Sequence, residues 1–132
     1  MIVRQAMSRA AATAGANTPI RNIARIMQQQ NTCAVVIGSR DCLLGILTDR
    51  DIVIRVLAVG GDPATVTAGE VMTRNPVYCS ADEPLDDAVF LMEIGRFRQM
   101  PVLDGKGRLC GMLSLGGQPQ QAAQGQGSET AA

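Results

Sequence analysis

The chain has 132 residues, about the length of one average domain, and its 46% apolar content is that of a globular protein. Twelve basic residues balance twelve acidic ones, which removes the electrostatic footprint of a nucleic-acid binder or of a protein seated on an anionic membrane. With no His, and with Cys33, Cys42, Cys79 and Cys110 outside any C-x-x-C pair, the sequence offers neither a zinc site nor a His-based catalytic centre.

Taken in chain order, residues 1–21 are basic but lack the apolar stretch of a secretory signal, and no run nears the roughly 18 apolar residues of a membrane span. A cytoplasmic protein with free thiols is expected. Thr18 before Pro19 reads as an N-cap and first helical position, and Ile20, Ile23, Ala24 and Met27 then recur at helical spacing. Cys33 to Ile37 and Leu43 to Leu47, around Gly-Ser-Arg-Asp, read as a buried hairpin. A helix follows through Asp51 to Leu57 and stops at Gly60-Gly61. Thr67 with Glu70 forms a capping box for a short connecting helix. After Pro84, Leu85, Ala88, Val89 and Met92 repeat the helical pattern, and Met100 to Leu103 with Leu109 to Leu113 form a second hairpin around Asp-Gly-Lys-Gly. Residues 118–132 are polar and of low complexity, and read as a disordered tail.

The second half is a copy of the first. Met7 falls on Met72, Arg9 on Arg74, Pro19 on Pro84 and Met27 on Met92, all at an offset of 65. The fold class this implies is α+β, built from two pseudo-symmetric repeats over 1–66 and 67–117, each a small three-stranded mixed sheet with helices. Ser114 is followed by Leu-Gly-Gly-Gln-Pro, so the second repeat is truncated and lacks its closing helix.

Chemistry concentrates in Gly45-Ile46-Leu47-Thr48-Asp49-Arg50-Asp51, a strand running into a helix. Unpaired N–H groups and the helix dipole make that mouth an anion site, where the Thr48 hydroxyl adds a donor to phosphate and Asp51 is placed to accept from ribose hydroxyls. The same residues also spell a capping box that satisfies only its own helix, and the sequence leaves both readings open. Asp86 and Asp87 sit in a first helical turn, where macrodipole compensation explains them better than catalysis.

As a set, Gly-Ile-Leu-Thr-Asp-Arg-Asp-Ile (45–52), Met-Thr-Arg-Asn-Pro (72–76), Pro-Leu-x-x-Ala-x-x-Leu-Met (84–92) and Met-Pro-Val-Leu-Asp (100–104) resemble the CBS domain, the cystathionine β-synthase regulatory repeat, over about residues 3–117. Similar pairs form a flattened module with two clefts between the repeats, dimerise, and bind AMP, ADP, ATP or S-adenosylmethionine to control an attached or partner protein. The resemblance implies a phosphate contact for Thr48 and a ribose contact for Asp51. It also points to Gly45 and Ile46 of the motif strand, Val77 and Tyr78 beside the base, and Arg98 towards phosphate. Tyr78 either stacks on adenine or caps a sheet edge. Ser114 takes the place of Thr48 in the second copy, but Gly117 stands where the ribose acceptor would be, so at most one competent cleft is expected.

The leading expectation is therefore a non-enzymatic sensor of an adenosine nucleotide, requiring no cofactor. It acts as a homodimer or on a protein partner, with no role for nucleic acid or membrane. The alternative is a ligand-free structural module that only dimerises. Dimerisation is expected because Ile52, Val53, Val56 and Leu57 are more apolar surface than so short a chain can bury internally.

Overall fold

The repeat reappears element by element in the computed structural model, which describes residues 1–115, at an offset of 65 for the helices and of 65 or 66 for the strands. α1 (Val3–Ala6) and β1 (Thr13–Ala14) lead to α2 (Ile20–Gln30), the hairpin β2 (Ala34–Ser39) and β3 (Cys42–Thr48), and α3 (Asp49–Ile52), which continues as a π-helical turn over Val53–Leu57. The second copy follows with α4 (Ala68–Val71), β4 (Thr73–Arg74), β5 (Cys79–Ser80), α5 (Leu85–Gly95), β6 (Gln99–Leu103) and β7 (Leu109–Ser114). β1 lies parallel to β2 and β5 parallel to β6, while each hairpin is antiparallel. Even the irregularities match: the ladders slip between Ile37 and Gly38 and between Val102 and Leu103.

The expected three-stranded sheet is found in the second copy, whereas the first sheet has a fourth strand, β4, which follows α4 of the second copy and pairs with β3. Gly45 makes that crossing possible, because a Cβ there would lie 2.6 Å from both the Met72 sulfur and the Thr73 carbonyl oxygen. Gly111 does the same for the opposite crossing, where a Cβ would meet the Ser8 carbonyl oxygen at 2.5 Å and the Met7 sulfur at 2.7 Å. Ser8 and Met112 exchange backbone hydrogen bonds of 2.8 and 2.9 Å there. Each repeat thus sends its leading segment into the other body: Ala68 and Met72 pack in the first core, Val3 in the second.

The strands are apolar on both faces because both are covered. Val35, Ile37 and Leu47 face α2 and α3 together with Ile20, Ile23, Ile52 and Val56. Ala34, Val36 and Ile46 point the other way, onto Leu109 and Met112 of the second sheet, so the two sheets pack face to face through a third cluster. Two helix-level expectations change. Pro19, not Thr18, occupies the N-cap of α2, and the first free donors, Ile20 and Arg21 N–H, go to the carbonyls of Val66 and Pro63 at 2.9 Å. Of the apolar residues expected to remain uncovered, Ile52 and Val56 are buried in the first core, while Val53 and Leu57 are exposed, as is their neighbour Ile54. The tail expected over 118–132, the position of Gly117 and the expected absence of a closing helix all lie outside the described residues.

Candidate functional site

β3 ends at Thr48, whose extended backbone caps α3. Asp51 N–H donates to the Thr48 hydroxyl oxygen (3.2 Å) and Thr48 N–H donates to Asp51 Oδ2 (3.0 Å), so the capping box written in the sequence is complete. It leaves chemistry to spare. The Thr48 hydroxyl hydrogen has no acceptor among the described residues, and a carboxylate has about four lone-pair sites, of which the cap uses one. Asp51 Oδ1 faces Arg55 Nη2 at 3.6 Å, with the Asp51 side chain only 17% exposed. Arg55 in turn donates through Nη1 to the Val71 carbonyl (2.8 Å) and the Thr73 hydroxyl (3.0 Å), tying the capped helix to the crossing strand.

Between this helix mouth and the second repeat lies a cleft of about 600 Å³, within the range of small-ligand sites. Ile46, Thr48 and Asp51 line one wall, Val77 another, and Arg98 a third, so residues nominated from both halves of the sequence converge. Gly45, Tyr78 and Ser114 do not line it. Gly45 is under the crossing strand, Tyr78 is 57% exposed beside Val77, and Ser114 pairs with Gln99 as Thr48 pairs with Ala34, at the counterpart position of the other repeat.

The cleft also contains residues that the sequence reading passed over. Asn75 turns the chain with a left-handed backbone (φ 51°) so that buried Pro76 and exposed Val77 form a wall. Arg96 ends α5, also left-handed at φ 60°, and lines the cleft with Phe97 and Arg98. The repeat held the signal: α2 ends at left-handed Asn31, exactly one offset earlier. Arg50, Arg96 and Arg98 all line the cleft, and none has an ion pair among the described residues. Asp49 and Asp51 are the acidic residues facing them. Cys33 is held by the Gln99 amide, which donates to its sulfur at 2.9 Å, and burial together with Asp49 pushes its thiol up, so it stays neutral. Burial likewise pushes the Cys79 thiol up to about 12. Among the described residues no cluster of His, Cys, Asp and Glu is suited to a metal ion, and no helix is long and apolar enough to cross a membrane.

The CBS domain family model matches residues 3–58 and again 68–116. The chain is 35% identical over 114 residues to CBS domain-containing protein YhcV of Bacillus subtilis, covering 86% of this chain and 80% of that one. It is 35% identical over 112 residues to Hypoxic response protein 1 of Mycobacterium tuberculosis, covering 84% and 78%. Among solved structures, the CBS domain pair of protein MJ0100, in complex with 5′-methylthioadenosine and S-adenosyl-L-methionine, superposes with a TM-score of 0.76 at 30% identity, over 86% of this chain and 89% of that one. The two matches fall on the two copies that share one internal offset and one exchanged topology, and the chain belongs to the CBS domain family as a tandem pair.

Proposed function

We propose that this CBS pair is a cytoplasmic regulatory module that binds an adenosine nucleotide in the cleft between its repeats and signals through dimer packing or a protein partner. One observation carries the reading: Ile46, Thr48, Asp51, Val77 and Arg98, drawn from distant parts of the chain, line a single cleft. In this reading Ile46 and Val77 flank the base, Asp51 accepts from the ribose through lone pairs the cap does not use, and Thr48 donates to phosphate. The adenosine class is that of the ligands bound by the MJ0100 pair. Arg50, Arg96 and Arg98 favour a phosphate chain over a cationic sulfonium, because guanidinium groups without carboxylate partners are matched by phosphate oxygens.

A second reading, a ligand-free dimerisation module, is favoured by the completed cap, since Thr48 and Asp51 already satisfy one another. Titration calorimetry with AMP, ADP, ATP and S-adenosylmethionine separates the two. The nucleotide reading expects saturable binding that is tighter for the phosphorylated ligands. Absence of binding by all of them overturns it and leaves the structural module.

A further inference from the structure

The guanidinium of Arg55 touches two elements that come from opposite halves of the chain. Its Nη1 donates to the Val71 carbonyl at 2.8 Å and to the Thr73 hydroxyl at 3.0 Å, on the segment that enters from the second repeat. Its Nη2 faces Asp51 Oδ1 at 3.6 Å, too far for a hydrogen bond, so on that side the contact is one of charge alone. Val71 is the last residue of α4, and the carbonyl that Arg55 takes up is among those a helix end leaves without an internal partner. Arg55 itself lies in the π-helical turn after α3, where Ala58 N–H donates to the Val53 carbonyl five residues back at 2.8 Å. Single widened turns of this kind recur at functional sites.

The strand that Arg55 holds is weakly held otherwise. β4 is two residues long, both exposed, and pairs with β3 through Gly45 with Arg74 and Ile46 with Thr73. Short, solvent-exposed pairings are where a fold opens first. The same stretch of chain runs on into one wall of the cleft, since Thr73, Asn75, Pro76 and Val77 line it together with Thr48 and Asp51. One guanidinium thus joins the wall that carries Asp51 to the segment that carries Val77.

We propose that Arg55 is a positioning residue through which occupancy of the cleft is felt at α4 and β4. Ribose hydroxyls donating to Asp51 Oδ1 fix the carboxylate, the carboxylate fixes the guanidinium facing it, and the guanidinium steadies the Val71 carbonyl and the Thr73 hydroxyl. Arginine suits the place because its rigid fork presents donors in two directions at once, whereas lysine is a compact point charge. Coupling of this kind is reciprocal: a ligand that steadies the segment is bound more tightly when the segment is already held. The inference rests on the nucleotide reading of the cleft and adds the route by which occupancy leaves it.

Hydrogen exchange in α4, whose residues line no part of the cleft, tests this on the wild type, Arg55→Met, Arg55→Lys and Thr73→Val, each with and without saturating ATP. In the wild type ATP should slow exchange in α4 by at least about fivefold, the lower end of ordinary coupling between sites. Arg55→Met and Arg55→Lys should lose that slowing while ATP still protects α3, whose cap does not involve Arg55. A merely structural role would speed exchange with and without ATP alike and leave the ratio unchanged. Thr73→Val keeps Arg55 and Asp51 in place and breaks the link from its other end, so it should lower the ratio even if the Arg55 variants fold poorly. Full slowing in any of the three variants, or none in a wild type that binds ATP, overturns the inference alone. A wild type that does not bind ATP overturns the nucleotide reading and the inference with it.

Discussion

Asp51 uses one carboxylate oxygen to cap α3 and leaves the other toward Arg55 and the cleft, so a single substitution reads out both roles. Asp51→Ala should lower stability by about 0.5–2 kcal/mol through the cap and weaken nucleotide binding by at least about tenfold through the lost ribose acceptor. Chemical denaturation and calorimetry on the same variant measure the two effects, and an unchanged affinity would reduce Asp51 to a cap. Arg96 poses the opposite case. A left-handed backbone costs a non-glycine residue about 1–2 kcal/mol, and this one places a guanidinium at the cleft. Arg96→Gly should therefore raise the melting temperature while lowering affinity for a phosphorylated ligand, and a variant that gains stability without losing affinity would take Arg96 out of the site. Thr48 and Asp51 were legible in the sequence because strand, hydroxyl and carboxylate are contiguous there. Arg96 was not, because the turn that aims it is ordinarily written with Gly or Asn.

At the scale of elements, α2, α5 and both hairpins were legible because apolar spacing and turn residues are local signals. β4 was not: Thr73 and Arg74 are polar and exposed, and they pair only because Gly45, far away in sequence, lets Met72 pass. Gly45→Ala and Gly111→Ala, in their equivalent positions, should each destabilise the protein by about 1–3 kcal/mol, the range for forcing a methyl into filled space, as measured by urea unfolding. A neutral result at either would mean that the crossing segment yields freely. The second hairpin turn is tied by Asp104, whose Oδ1 accepts from Lys106 N–H at 2.8 Å and Arg108 N–H at 3.0 Å, and these donors hold its carboxyl below the usual range. A depressed folded value means that the stabilisation is present above the unfolded value, about 3.9, and is lost as pH falls through the lower folded one. Asp104→Asn keeps an acceptor, so its stability should be less sensitive to pH in that acid window than that of the wild type.

Across the whole molecule, the exchanged segments and the shared sheet interface bind the two repeats into one unit, since neither core is complete without residues from the other half. Fluorescence of Tyr78 in the second repeat and far-ultraviolet circular dichroism should therefore report coincident urea transitions, whereas two separated transitions would show the repeats to be independent. The same exchange constrains the order in which the protein can form during synthesis. Val3 is synthesised before its partners Met92, Met100 and Leu113, and the first sheet must wait for Met72 and Thr73 to complete it. Until those residues follow, the nascent chain carries an incomplete first repeat with an exposed strand edge, and it is during this interval that neighbouring nascent copies are most prone to pair wrongly.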